Sequence, residues 1–131
     1  MKDAADYLAY VRALIIVNPK IARWTIVREE AQGDKGLFRY RLTLTDGSLL
    51  EAFELFRIVQ GKVRVIKYSF HWQSEDGSLL KRWDNAAHHP EISTHPSHLH
   101  NGEDKVLPHA PVDFEEVLNL ITSLIQAEPS E

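Results

Sequence analysis

The chain has 131 residues and a net charge of −4; 44% of its residues are hydrophobic and 26% charged, a composition that folds as one ordinary domain and is too apolar for a disordered chain. Its longest apolar run, Ala13 to Val17, falls far short of the ~20 residues that cross a bilayer, so no membrane partner is expected and a cytoplasmic location is. Cysteine is absent, which excludes disulfides, thiolate nucleophiles and Cys-ligated zinc, whereas histidine occurs seven times.

In chain order, residues 3–17 read as a helix: Tyr7, Val11, Leu14 and Ile15 recur at helical spacing, Asp3 is a natural N-cap, and Asn18-Pro19 stops it. From Ile21 to Asn85 the period changes to two. Gln32-Gly33-Asp34, Asp46-Gly47, Gln60-Gly61 and Asp76-Gly77 divide this stretch into five strands, about 21–31, 37–45, 49–59, 62–73 and 78–85. Residues 86–110 look irregular and rich in His and Pro. Asp113 opens a last amphipathic helix, 112–127, through Val117, Leu118, Ile121 and Ile125. The expected fold class is α+β. One domain, residues 1–131, holds a five-stranded antiparallel meander whose apolar face is covered by the N- and C-terminal helices.

Two-residue turns at Asp46-Gly47, Gln60-Gly61 and Asp76-Gly77 set a register. They pair Tyr40 with Phe53, Glu54 with Lys67, Phe53 with Tyr68, His71 with Arg82 and Ser69 with Asp84. One face then collects Phe38, Tyr40, Leu42, Phe53, Leu55, Ile66, Tyr68, Phe70, Trp72 and Trp83. The other collects Arg39, Arg41, Glu54, Lys67, Ser69, His71, Gln73, Arg82 and Asp84; Glu51 is a misfit on the apolar side.

The polar face suits phosphodiester cleavage, which needs a base, an acid and cations for the developing phosphate charge. His71 can act as base or acid with Asp84 or Glu54 orienting it, and Lys67, Arg82 and Arg41 can hold phosphate. RNA brings its own nucleophile, the 2′-hydroxyl, so no cofactor is required. Charge pairs across strands are also ordinary sheet stabilisation. A second candidate is Trp83-Asp84-Asn85-Ala86-Ala87-His88-His89-Pro90, an Asp and paired His at a strand end. A third is His95-Pro96-Ser97-His98-Leu99-His100, three His in six residues that could ligate a transition metal, bind phosphate or stack on bases. Charge is uneven. Residues 101–131 hold seven acids and one base, −6, leaving +2 on residues 1–100, where basic and aromatic residues interleave as in nucleic-acid contacts.

Three segments, Lys67-Tyr68-Ser69-Phe70-His71-Trp72-Gln73, Trp83 to Pro90 and His95 to His100, together resemble the TumE family of small prokaryotic proteins classed as toxins of type II toxin–antitoxin systems. Phe70 stands where the family often has Tyr, and Ala87 where it often has Pro. The resemblance implies a cognate antitoxin with a helix-turn-helix as partner. It marks His71, Gln73, Asp84, Asn85, His88, His89, His98 and His100 as functional positions, to which the register adds Lys67 and Arg82. The expectation is an endoribonuclease with His71, Asp84, His88 and His89 as its catalytic set. Lys67, Gln73, Arg82, Asn85, His98 and His100 bind the RNA target. The alternatives are a non-catalytic binding module and a metal-dependent nuclease or hydrolase using the His-rich segment.

Overall fold

The computed structural model describes residues 1–87, 89–103 and 105–125; the expected catalytic His88 and the end of the last expected helix lie outside the described residues. Helix α1 is Ala4–Val17, and the Asp3 side chain caps it by accepting from the Asp6 N–H at 2.9 Å. Strands β1 (Ile21–Gln32), β2 (Lys35–Leu44), β3 (Leu49–Val59), β4 (Lys62–Gln73) and β5 (Leu79–Asp84) follow. Then come β6 (His98–Asn101), β7 (Val106–Pro108) and helix α2 (Phe114–Leu124). The strands form one antiparallel sheet in the order β1 to β7. The expected five strands are therefore seven, because the His-rich stretch is only partly irregular. His98–Asn101 pairs with β5 and Val106–Pro108 pairs with β6. Alternation at His98-Leu99-His100 is too short to register as a period, yet it puts Leu99 against the core and both His on the other face.

Both helices contribute to the core on one sheet face. Tyr7 of α1 packs edge-on against Phe56 with centroids 4.6 Å apart, and Phe114 of α2 packs edge-on against Phe38 at 5.7 Å. The sheet contributes Phe38, Tyr40, Leu42, Leu50, Ala52, Phe56, Tyr68, Phe70, Trp72 and Trp83, all buried.

This list corrects the register on β3. Asp46-Gly47 sits in a three-residue loop: Leu44 N–H donates to the Ser48 carbonyl at 2.8 Å, and Asp46 Oδ1 accepts from Ser48 N–H. Tyr40 therefore pairs with Ala52, and Phe38 with Glu54. Gln60-Gly61 does close a two-residue turn, both residues at positive φ, but the pairing shifts by one residue between Leu55 and Phe56, leaving Ile66 as the extra residue of β4. Beyond it Phe53 pairs with Ser69 and Glu54 with Tyr68. So Glu54 is buried on the apolar face, Phe53 and Leu55 lie on the open face, Ile66 is exposed, and Glu51 belongs with the polar residues. At Asp76-Gly77 the loop again has three residues, and a second irregularity between Trp72 and Gln73 restores the expected pairs Phe70–Trp83, His71–Arg82 and Ser69–Asp84.

Glu54 is held by both helices. Tyr7 Oη donates to its Oε1 at 2.7 Å, and the backbone N–H of Phe114, at the start of α2, donates to Oε2 at 2.6 Å. A helix start offers unpaired N–H groups and partial positive charge, which favour a carboxylate there.

Candidate functional site

The open sheet face carries two rows of side chains at adjacent levels. Register places Arg41, Glu51, His71, Arg82 and His100 side by side on β2 to β6. It places Arg39, Phe53, Ser69, Asp84 and His98 in the row beside it. With strands about 4.8 Å apart, His71 and His100 stand about 10 Å from each other across Arg82.

At the β2–β4 end, Glu51 receives Arg39 Nη1 at 3.0 Å and Arg41 Nη2 at 3.5 Å, and the Arg39 guanidinium lies 4.7 Å over the Phe53 ring. His71 Nε2 donates to Gln73 Oε1 at 3.2 Å, and Nδ1 has no hydrogen-bond partner among the described residues. Arg39, Glu51, Ser69, His71, Gln73 and Arg82 line a concavity of about 280 Å³. Neither Asp84 nor Glu54 orients His71. Gln73 is its partner, Asp84 is committed elsewhere, and Glu54 is behind the sheet.

At the β5–β6 end, the second and third sequence candidates merge. His89 of the loop meets His98 and His100 of β6, and one ligand atom from each lies within 4.8 Å of the others. Asp84 joins them: its Oδ1 is 2.9 Å from His98 Nε2, and its Oδ2 is 3.5 Å from His100 Nε2 and 3.2 Å from Arg82 Nε. Asp84 Oδ1 also accepts from the Ala86 N–H at 3.0 Å. His98 Nε2 and His100 Nε2 are 3.0 Å apart. Asp84 and His98 are buried, whereas the His89 and His100 side chains are 30% and 28% exposed and open the cluster to solvent. Burial lowers the His100 pKa, and its neighbours His98, Arg82 and His89 lower it further against the opposing pull of Asp84. His95, the first His of the third candidate, is exposed and not part of this group; His89 takes its place.

The remaining expected residues lie apart from the two clusters. Lys67 is exposed on the same face beside the bulge, paired with Leu55. Asn85 spends both amide atoms on the β4 backbone: Oδ1 accepts from Tyr68 N–H at 3.0 Å, and Nδ2 donates to the Ile66 carbonyl at 3.0 Å. Glu51 is the residue that sequence reasoning left out of the site. Its misfit on the apolar side of the expected register, which a one-residue slip removes, was the available signal.

Among the described residues no helix is long and apolar enough to cross a membrane. Searches among curated proteins and solved structures found no match. A family model described as toxin TumE matches residues 10–128, which include every strand, all seven His and both clusters. The chain belongs to the TumE toxin family, and that membership implies an antitoxin partner.

Proposed function

We propose that this toxin is an endoribonuclease that cleaves RNA on the open sheet face. The observation that carries the reading is the row His71, Arg82, His100, in which a guanidinium stands between two imidazoles on neighbouring strands. Arg82 binds the scissile phosphate and offsets its growing charge. His71, its Nε2 held by Gln73, takes the 2′-hydroxyl proton on Nδ1. The 2′-oxygen then bonds to phosphorus and the bond from phosphorus to the 5′-oxygen breaks. The leaving oxygen receives its proton from the cluster on the far side of Arg82. The products are a 2′,3′-cyclic phosphate and a 5′-hydroxyl. Lys67, Arg39 and Arg41 contact flanking phosphates, and the concavity beside His71 takes part of a nucleotide. The partner in this reading is a cytoplasmic antitoxin with a helix-turn-helix.

The test is incubation of purified protein with total cellular RNA, beside His71→Ala and Arg82→Ala. Each variant is expected to lose at least about a hundredfold in cleavage rate, within the range that one proton-transfer or charge-stabilising group contributes, while keeping the wild-type circular dichroism spectrum. An oligonucleotide with 2′-deoxyribose at the cleavage position is expected to stay intact. A folded His71→Ala variant that cuts RNA at the wild-type rate overturns the reading, as does a wild-type protein that cuts none.

A further inference from the structure

We propose that His89, His98 and His100, with the Asp84 carboxylate as an oxygen donor, hold one divalent transition-metal ion of the zinc type. The argument starts from hydrogens. His98 Nδ1 lies 2.9 Å from the Pro96 carbonyl oxygen, which can only accept, so Nδ1 carries the hydrogen and Nε2 of the neutral ring presents its lone pair. That lone pair faces two further electron-rich atoms, Asp84 Oδ1 at 2.9 Å and His100 Nε2 at 3.0 Å. A single proton on His98 Nε2 answers one of these neighbours and leaves the other unanswered. A cation at their centre answers all of them. Ligand atoms around tetrahedral zinc stand about 3.3 Å apart, given bonds of 2.0–2.1 Å, so the His98, His100 and Asp84 contacts need only slight expansion to admit the ion, and His89, whose ligand atom lies within 4.8 Å of the other two, closes on it from the loop.

The surroundings have the character of a metal site. A ligating imidazole normally gives its other N–H to a carbonyl or carboxylate, which fixes the ring and the coordinating nitrogen. His98 does so to Pro96, and His89 does so through Nδ1 to Glu91 Oε1 at 3.1 Å. His98 and His100 sit two residues apart on β6 and so share a face, while His89 arrives from the connection that follows β5. Three imidazoles and one carboxylate suit Zn²⁺ or its neighbours in the first transition row, not Mg²⁺ or Ca²⁺, which prefer all-oxygen shells. Two ligands, His89 and His100, are partly exposed, so the ion can add a fifth ligand on the side facing solvent. There it can hold a water or a phosphate oxygen. On the RNA reading, water on the ion takes over the proton delivery that a bare imidazole would otherwise perform.

The test uses untagged protein stripped with EDTA and titrated with Co²⁺, whose visible d–d bands report its coordination. One equivalent per chain is expected, with bands of a nitrogen- and oxygen-ligated ion that stoichiometric Zn²⁺ displaces, and with a rise in Tm. His89→Ala removes a loop ligand outside the sheet, and His100→Ala a partly exposed one. Each is expected to weaken Co²⁺ binding at least about tenfold while keeping the wild-type circular dichroism spectrum. Failure of the wild type to take up one equivalent overturns the proposal, as does undiminished binding in both variants. The measurement needs no RNA, so its failure is distinguishable from failure of the cleavage reading.

Discussion

Glu54 is the side chain on which the packing of both helices converges. Its two oxygens receive Tyr7 from α1 and the Phe114 N–H that opens α2, so the group ties three elements through one carboxyl in the core. Burial pushes its pKa up to about 7; the two hydrogen bonds pull it down and the Asp113 carboxylate adds a smaller upward push. A carboxyl with a folded pKa above its unfolded one binds its proton more tightly in the folded state. Its contribution to stability is fully present below about 4.5 and is lost as pH rises through about 7. At 1.36 kcal/mol per unit the loss is on the order of 3 kcal/mol. Wild-type Tm is therefore expected to fall between pH 5 and 8, while Glu54→Gln, which keeps the shape and cannot ionise, holds a flatter profile. Parallel Tm profiles for the two proteins would contradict this account. From sequence, Glu54 looked like an open-face carboxylate, because nothing local tells a buried acid with two donors from an exposed one with none.

At the scale of the element, the informative features are the places where strand counting slips. Two-residue turns at both Asp-Gly pairs would be the simplest reading, yet both loops hold three residues. The sign is the Ser that follows each pair: Ser48 and Ser78 give their N–H groups to Asp46 and Asp76. The first loop inverts the faces of β3, and the bulge at Ile66 inverts them back on the far half of β4. The two errors cancel. Hence Arg39, Arg41, Ser69, His71, Gln73, Arg82 and Asp84 were legible from alternation alone, while Glu51, Phe53, Glu54 and Leu55 came out on the wrong side. The meeting of His89 with His98 and His100 was not legible, because a strand pairing and a loop closure bring them together, and neither leaves a periodic trace. Asn85 belongs to the same story. It bridges Ile66 and Tyr68 just past the last β4–β5 pair, Ser69 with Asp84, and so supplies hydrogen bonds to β4 where the pairing with β5 stops. Asn85→Ala is expected to cost about 1–3 kcal/mol, read as a lower urea midpoint, because it strips partners from a backbone donor and acceptor together. An unchanged midpoint with lost RNA cleavage would assign Asn85 to the chemistry instead.

At the scale of the molecule, charge is uneven from one side of the sheet to the other, although Glu51 and Asp84 pair with three of the cations on the open face. Glu115 and Glu116 stand in the first turn of α2, whose buried residues join the core on one face. Arg39, Arg41, Lys67 and Arg82 lie on the opposite face. The negative total thus coexists with a face suited to a polyanion, and the uneven charge along the chain becomes an uneven charge through its thickness.

The two ends of the sheet are just as unequal, and this limits how copies of the protein can join. Among the described residues, β1 offers twelve residues, with two register shifts along them, on an edge with no strand beyond it, whereas β7 has three and finishes in Pro108, which has no N–H to give. Each copy therefore has one edge on which a strand can be added. Two such edges can pair with each other, and the pair is then spent, since only the blunt β7 ends remain. Light scattering at rising concentration is expected to show single copies and pairs, and a growing series of larger species would contradict it. In the language of polymers the molecule is monofunctional: a unit that can end a chain of sheets but cannot lengthen one.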